Sequence, residues 1–198
     1  MIKEKTRLNK KYIISVSIIA CFLYFSGGRA TAKTSFSKSK TLLKNKIYPH
    51  KGKTFYCDCS YQKKSIKLKT CGVSLKKFKK RKKRLEWEHI VPAHAFGQSF
   101  KEWRNAKTLC KRKGKRSLSG RKCAARHSKL FKEMEANLHN LVPAVGSVNA
   151  LRSNLSFAEI DKSDYPICRN GFKIKGRKVS PPNNRKGDIA RIYFYMDA

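Results

Sequence analysis

Acidic residues are scarce in this chain of 198 residues, in which 12 Asp and Glu stand against 48 Lys and Arg. The resulting formal charge of +36 disfavours a cationic substrate and favours a polyanionic partner, either a nucleic acid or an anionic membrane surface. The hydrophobic fraction of 40% is nevertheless enough for a packed core, which excludes a disordered basic tail. The length fits one domain, alone or with a targeting segment.

A hydrophobic run long enough to span a bilayer is also missing. The uncharged apolar stretch at residues 13–25 is shorter than the roughly 20 residues that a transmembrane helix needs. It follows a basic segment and precedes Ala30 and Ala32, which form an A-x-A cleavage pattern typical of a secretory signal. We therefore expect a signal peptide over residues 1–32. A lipoprotein acylated at Cys21 and an uncleaved signal anchor are the alternatives.

The exported part would comprise residues 33–198, and it keeps most of the charge. Residues 1–32 contain six of the basic residues and one acidic residue, so their removal leaves 42 against 11, or +31. The Ser- and Lys-rich segment 33–50 is expected to be a loose basic arm ahead of the folded domain. The basicity thus belongs to the mature protein.

Paired C-x-x-C motifs, which usually mark a structural zinc site, do not occur. Six cysteines follow the signal segment, and an even number in an exported chain predicts disulfides, with fifteen possible pairings. We expect the pair Cys110–Cys123 first, because these residues bracket a loop rich in Gly, Lys and Arg that needs closing. A zinc site remains the alternative.

Two basic segments interrupt the predicted elements. Residues 76–84 contain eight basic residues in nine, and residues 104–126 are expected to form a long basic loop. Such runs are either solvated, self-repelling loops or surfaces that track phosphates, and one loop can be both. The candidate nucleic-acid contacts in the first segment are Lys79, Lys80, Arg81 and Arg84.

Hydrophobic periodicity predicts a mixed α+β fold without internal repeats. The strand predictions are a hairpin within 53–75, a strand over 85–93 that ends at Pro92, and an extended piece from residue 139 that stops at Pro143. Helices are expected over 127–138 and 145–160, and a final helix or strand over 188–196.

Acidic residues, histidine and carboxamides come together in segments 86–97 and 137–154. In an exported polycation this combination suggests metal-assisted phosphodiester cleavage, because a divalent cation can neutralise phosphate charge while a neutral imidazole takes a proton from water. One carboxylate and one Asn oxygen suffice for Mg²⁺. On an ideal strand Glu86 and Glu88 share a face while His89 points to the other. Spacing therefore leaves open which acid accompanies His89, and whether Asn140 or Asn149 is the second ligand.

Three motifs in these and the last segments resemble one known family. They are E-W-E-H-I-V-P-A (86–93), L-H-N-L-V-P-A-V-G-S-V-N-x-x-R-S-N (138–154) and A-R-I-Y-F-Y-M (190–196). In this order they resemble the periplasmic and secreted bacterial endonuclease I family, of the ββα-metal (His-Me finger) superfamily. The resemblance covers residues 55–196. It implies a disulfide-containing single α+β domain around a ββα-metal finger that cuts DNA, and often RNA, with little sequence preference.

The resemblance also implies roles for individual residues. His89 matches the general base, Glu88 the first metal ligand and Asn149 the second, provided that the chain bends after Glu88. Asn140 matches a carboxamide of the catalytic motif that positions the loop or His89. Arg121 matches an arginine that contacts the phosphate on the product side.

Arg152 lies on the predicted helix after Asn149, where we expect it to tie the helix to its neighbour and to contact a phosphate. The resulting hypothesis is a periplasmic or secreted, monomeric endonuclease that uses Mg²⁺ or Mn²⁺, needs no small-molecule cofactor and leaves 5′-phosphate ends. The alternative is a catalytically inactive cationic protein that binds nucleic acid or an anionic surface.

Overall fold

The structure, a computed structural model, describes residues 35–48 and 50–198, so the predicted signal peptide over 1–32 lies outside the described residues. The helices are α1 (Phe36–Leu42), α2 (Ala93–Gly97), α3 (Lys101–Arg104), α4 (Ala106–Leu109), α5 (Gly120–His127), α6 (Lys129–Glu135), α7 (Gly146–Arg152) and α8 (Asn183–Asp197). The strands are β1 (Lys51–Lys53), β2 (Ser60–Gln62), β3 (Ser65–Ile66), β4 (Leu85–His89), β5 (Leu141–Val145), β6 (Ser156–Phe157), β7 (Lys173–Lys175) and β8 (Lys178–Ser180). In the described part, no helix has the length and apolar character needed to cross a membrane.

An antiparallel pair of strands, β4 and β5, forms the centre of the fold. Their register runs without interruption from Leu85 opposite Val145 to His89 opposite Leu141. All of β5 is buried, and α7 follows it directly and packs on both strands. This strand–strand–helix unit, with residues 90–140 inserted between its strands, fits the predicted mixed α+β fold around a ββα finger.

Strand β5 continues through Pro143, so the prediction that this proline stops the strand is wrong. Pro143 lies opposite Trp87, and its carbonyl oxygen accepts a hydrogen bond from the backbone N–H of Phe55 at 2.7 Å. Proline removes a donor but keeps its acceptor, and an edge position tolerates it. The extended segment therefore reaches Val145.

Two small sheets flank this unit. Strands β1, β2 and β3 form an antiparallel sheet, of which β2 and β3 are the predicted hairpin. This sheet joins β4 through the hydrogen bond from Leu85 N–H to the Lys64 carbonyl oxygen at 3.0 Å. The other sheet has the order β6-β8-β7, with β6 parallel to β8.

Three disulfides connect the six cysteines of the described chain. The expected pair Cys110–Cys123 is confirmed, and the other bonds join Cys57 to Cys168 and Cys59 to Cys71. Because every one of these thiols is bonded to another, a zinc site built from them is excluded. The bond between Cys57 and Cys168 closes a separation of 111 residues and thereby ties the first sheet to the segment before β7.

The predicted loose arm over 33–50 is wrong for its described part, because most of that part is helical. Helix α1 begins after Ser35, whose Oγ accepts a hydrogen bond from the backbone N–H of Lys38, and a π-helical turn over Leu43–Ile47 follows. Leu43 is fully buried, and Ser39 Oγ donates to the carbonyl oxygen of Ala136 at 2.6 Å. A few anchors therefore fix a segment whose composition is polar.

The predicted basic loop over 104–126 is also mostly wrong. Helices α4 and α5 occupy much of this range, and residues 105 and 110–119 lack helix. Cys123 and Ala124 of α5 are fully buried, while the charged side chains around them face outward. Because Lys and Arg are so dense in this segment, its sequence did not indicate the few buried positions of the helix.

Arg152 at the end of α7 is buried, which corrects its predicted role as a nucleic-acid contact. Its guanidinium donates hydrogen bonds to the carbonyl oxygens of His89 at 2.8 Å and Ile90 at 2.6 Å. It also forms an ion pair with Glu88 at 3.2 Å and lies over the ring of Phe157. Only 1% of its side chain is exposed, so it cannot reach a phosphate on a bound polymer.

We expect Arg152→Ala to lower the free energy of unfolding by about 3–5 kcal/mol, because it leaves a buried carboxylate and two carbonyl groups without their partner. Urea titration followed by circular dichroism measures this change. The exposed Arg177 provides a matched control, and Arg177→Ala should change stability by less than about 0.5 kcal/mol. Weaker DNA binding at unchanged stability would instead make Arg152 a phosphate contact.

Candidate active site

A cavity of about 980 Å³ runs along strand β4 and brings most of the predicted site residues together. The predicted residues that line it are Glu88, His89, Arg121, Asn149, Arg81 and Arg84. Four others, namely Lys79, Lys80, Asn140 and Arg152, lie outside its lining. The far wall is helix α1, which sequence reasoning had not connected with the site.

His89 is the last residue of β4, and its side chain makes one hydrogen bond to the described part of the chain. Nε2 lies 2.8 Å from the backbone carbonyl oxygen of Glu135. A carbonyl can only accept, so Nε2 carries the proton and donates, which leaves the lone pair on Nδ1. Burial lowers the pKa of His89 to about 4, against the opposing effect of the Glu135 carbonyl. The imidazole is therefore neutral at physiological pH.

The side chain of Glu88 lies in a different environment from that of His89. Its Oε1 accepts a hydrogen bond from the Tyr56 hydroxyl at 3.1 Å and faces Arg152, whereas Oε2 makes no hydrogen bond to a described residue. Burial raises the pKa of Glu88 to about 7, although Arg152 and Tyr56 oppose the shift. A carboxyl group with this pKa gives up its proton readily to an approaching cation.

Glu86, the other acid of the motif, is occupied by protein partners. Its carboxylate forms a two-pronged ion pair with Arg81, and Oε2 also accepts a hydrogen bond from Asn149 Nδ2 at 3.1 Å. This contact connects α7 to β4 on the floor of the cavity. In the described part of the chain, Oδ1 of Asn149 accepts no hydrogen bond and is thus available to a ligand.

The bend expected after Glu88 is absent, because β4 stays paired with β5 through His89. Glu88 and His89 both border the cavity because it extends along the strand, while their side chains bond to different elements. Alternation along the strand and a shared site are therefore compatible.

Asn140 is fully buried and makes two hydrogen bonds to one residue. Its Oδ1 accepts from the N–H of Val91 at 2.7 Å, and its Nδ2 donates to the carbonyl oxygen of Val91 at 2.9 Å. Its own carbonyl oxygen accepts from Ile90 N–H at 3.1 Å. Asn140 therefore fixes the chain after His89. This arrangement fits the positioning role that the resemblance implies for Asn140, and a fully buried side chain bonded to Val91 cannot touch a substrate.

Arg121 lies on α5, where its Nε donates to Oε1 of Glu135. Its side chain is 42% exposed and its guanidinium packs over the ring of Phe36. Glu135 thus contacts Arg121 through its carboxylate and His89 through its carbonyl oxygen. Neither Glu135 nor Phe36 stood out in the sequence, because only the folded chain brings them to His89.

The donors in the cavity fit a hard divalent cation. Over residues 35–48 and 50–198, no three His, Cys, Asp or Glu side chains are grouped closely enough to hold a metal. Glu88 Oε2 and Asn149 Oδ1 supply instead one carboxylate and one carboxamide oxygen without protein partners in the described chain. Mg²⁺ prefers oxygen ligands and retains several waters, so this small donor set suits it.

Comparison with known proteins supports the family resemblance that the three sequence motifs indicate. The profile of the family described as Endonuclease I matches residues 30–198. A protein named Endonuclease-1 from Buchnera aphidicola subsp. Acyrthosiphon pisum (strain APS) is 35% identical over 208 residues, which cover 98% of this chain and 75% of the relative.

Two similar proteins come from Aeromonas hydrophila. One, named Extracellular deoxyribonuclease, is 36% identical over 77% of this chain and 64% of its own length. The other, named Periplasmic deoxyribonuclease, is 34% identical over 76% of this chain and 61% of its own length. This chain thus spans less than two thirds of the Aeromonas proteins. Their names agree with the predicted periplasmic or secreted location. By the extent of its profile match and its likeness to Endonuclease-1, the chain belongs to the endonuclease I family.

Proposed function

We propose that this protein is an exported endonuclease that hydrolyses DNA without sequence preference, depends on Mg²⁺ or Mn²⁺, and leaves 5′-phosphate ends. The observation that carries the proposal is a neutral, buried His89 beside a carboxylate and a carboxamide in one basic cavity. Family membership and the deoxyribonuclease names of relatives support DNA as the substrate.

The cavity walls are suited to a polyanionic backbone. Besides Arg121, the cations that line them are Lys40, Lys44, Lys64, Arg81 and Arg84. Contacts of this kind neutralise phosphates and carry no sequence information, so we expect nonspecific, salt-dependent binding. RNA has the same backbone charge and would be accepted through the same contacts.

Glu88 and Asn149 would hold the divalent cation through Oε2 and Oδ1. A bound cation supplies positive charge that stabilises the scissile phosphate and the leaving oxygen. The protein contributes the position of both ligands, because Arg152 fixes Glu88 and Glu86 fixes Asn149. Enclosure of the Glu88 carboxylate limits competing contacts with other cationic side chains.

His89 acts as the general base. Its Nδ1 takes a proton from a water molecule, whose oxygen attacks the phosphorus while the bond to the 3′ oxygen breaks. Because the bond that breaks joins the phosphorus to the 3′ oxygen, the phosphate stays on the 5′ end of the downstream product. The leaving 3′ oxygen takes a proton from solvent. Arg121 exchanges its partner Glu135 for the phosphate and stabilises the added negative charge.

We expect His89→Ala to reduce plasmid cleavage by about 10² to 10⁴-fold while DNA affinity changes little, because the general base is lost and the phosphate contacts stay. Nicking in Mg²⁺ and binding in EDTA measure the two properties. His127→Ala, which removes an exposed histidine outside the cavity, is the control and should cut normally. Binding without cleavage by the unaltered protein would favour the inactive cationic protein instead.

The pKa of Glu88 predicts that metal affinity depends on pH. Because the carboxyl group with a pKa of about 7 is mostly ionised at pH 8 and mostly protonated at pH 6, Mn²⁺ affinity should fall about tenfold over this interval. Titration with Mn²⁺ followed by electron paramagnetic resonance measures it without reference to cleavage. Glu88→Gln should abolish binding, whereas Glu159→Gln, an exposed control, should not. Equal affinity at both pH values would contradict the assignment of Glu88.

The basic loop over 76–84 is expected to add nonspecific phosphate contacts. Lys79 and Lys80 are exposed on it and lie outside the cavity lining. Replacing both by Ala should lower the slope of log affinity against log salt by about 1–2, since each duplex phosphate contact contributes roughly 0.9. Cleavage at saturating DNA should stay unchanged. The matched exposed pair Lys175→Ala and Lys178→Ala should affect the slope less, and an equal effect would mean that the charge acts without a defined interface.

A further inference from the structure

Helix α1 brings an aromatic ring against the imidazole of His89. The ring centroids of Phe36 and His89 lie 4.9 Å apart, with an angle of 41° between their planes. The imidazole is thus restrained at Nε2 by the Glu135 carbonyl and across its ring by Phe36. One hydrogen bond to a ring nitrogen leaves rotation about that bond open, and a packed ring restricts it.

Phe36 is itself held on several sides. Lys40 Nζ lies 4.7 Å from its ring centroid and the Arg121 guanidinium carbon lies 5.4 Å from it, both at cation–π distances. The helix that carries Phe36 is anchored by the fully buried Leu43 and by the hydrogen bond from Ser39 to the Ala136 carbonyl oxygen. The ring is therefore a fixed part of the cavity wall.

The two restraints on His89 share one support. Glu135, which accepts the hydrogen bond from Nε2, directly precedes Ala136, which accepts the hydrogen bond from Ser39 of α1. Helix α1 and the imidazole are consequently fastened to adjacent carbonyl groups at the end of α6. A displacement of α1 would remove the Phe36 contact, and the hydrogen bond to Glu135 would then be the remaining restraint on the imidazole among the described residues.

We propose that Phe36 is a positioning residue that holds the imidazole of His89 with Nδ1 directed at the attacking water. This inference rests on the proposed function, because it assumes that His89 is the general base. A catalytic group displaced by about 1 Å can lose about 10²-fold in rate, so a ring contact that limits rotation has a measurable effect. The N-terminal helix of the described chain thereby becomes part of the active site.

Steady-state cleavage of a fluorogenic DNA duplex by the full oxidised protein tests the proposal. Phe36→Ala should lower kcat about 10- to 100-fold with KM within about twofold, because the ring touches the base and phosphate-binding cations remain. Phe36→Tyr, which keeps the ring, should recover kcat to within about threefold. Leu42→Ala truncates an exposed side chain of the same helix outside the cavity and should leave kcat unchanged.

A second measurement reports on His89 itself. Long-range ¹H–¹⁵N spectra of the imidazole should show one Nε2–H tautomer in the unaltered protein and in Leu42→Ala. In Phe36→Ala a mixture of tautomers should appear, because the ring can leave the Glu135 carbonyl. If the alanine variant does not fold, Phe36→Leu takes its place, because leucine keeps most of the apolar volume. We then expect a loss of kcat in the same direction but of smaller size.

The outcomes separate this inference from the proposed function. If the unaltered protein does not cut DNA in Mg²⁺, the proposed function fails, and the imidazole spectra still decide whether Phe36 restrains His89. If it cuts DNA and Phe36→Ala keeps its kcat, the positioning role is wrong. A change in KM alone, or an equal loss in Leu42→Ala, would likewise overturn it, because either result assigns the effect to substrate binding or to the helix as a whole.

Discussion

The buried guanidinium of Arg152 determines where the elements of the site stand relative to each other. It bonds to the carbonyl oxygens of His89 and Ile90 and pairs with Glu88, so one side chain of α7 fixes three successive residues at the end of β4. Asn149 lies one turn earlier on α7, and its placement relative to Glu88 follows from the same contacts. A charge buried at this depth is costly without partners, and the partners that offset the cost are the residues of the site.

The few acidic residues near the cavity are paired with arginines. Each carboxylate near it has an arginine partner: Glu86 with Arg81, Glu88 with Arg152 and Glu135 with Arg121. These pairs neutralise the acids that the site needs without reversing the positive character of its walls. A phosphate backbone therefore meets a cationic surface, while the carboxylates keep defined positions. Arg81 and Arg121 are partly exposed and line the cavity, so these members of the pairs can also face a ligand.

Much of the central unit could be predicted from sequence, because β4, β5 and α7 coincide with the motif segments and their periodicity is local. The pair Cys110–Cys123 could be predicted for the same reason, since its residues are near each other in the chain. Contacts between segments that are far apart in the chain could not be predicted from the sequence. Ser39 and Ala136 are 97 residues apart, and nothing in a Ser- and Lys-rich stretch indicates that it docks there. The burial of Arg152 was missed because charge alone does not distinguish a surface contact from a buried one.

Successive side chains on a strand point to opposite faces, so from sequence it was open which acid accompanies His89. The same alternation explains how the adjacent residues Glu88 and His89 can have opposite properties. Glu88 bonds to Tyr56 and Arg152, whereas His89 bonds to Glu135 and packs on Phe36. Burial acts on both side chains, but it disfavours the charged form of each, so it raises the pKa of the acid and lowers that of the base. The imidazole is consequently neutral at physiological pH, while the carboxyl group with its pKa of about 7 is only partly ionised. A single physical effect thus accounts for both protonation states that the proposed mechanism requires of these adjacent residues, because the strand directs their side chains into separate surroundings.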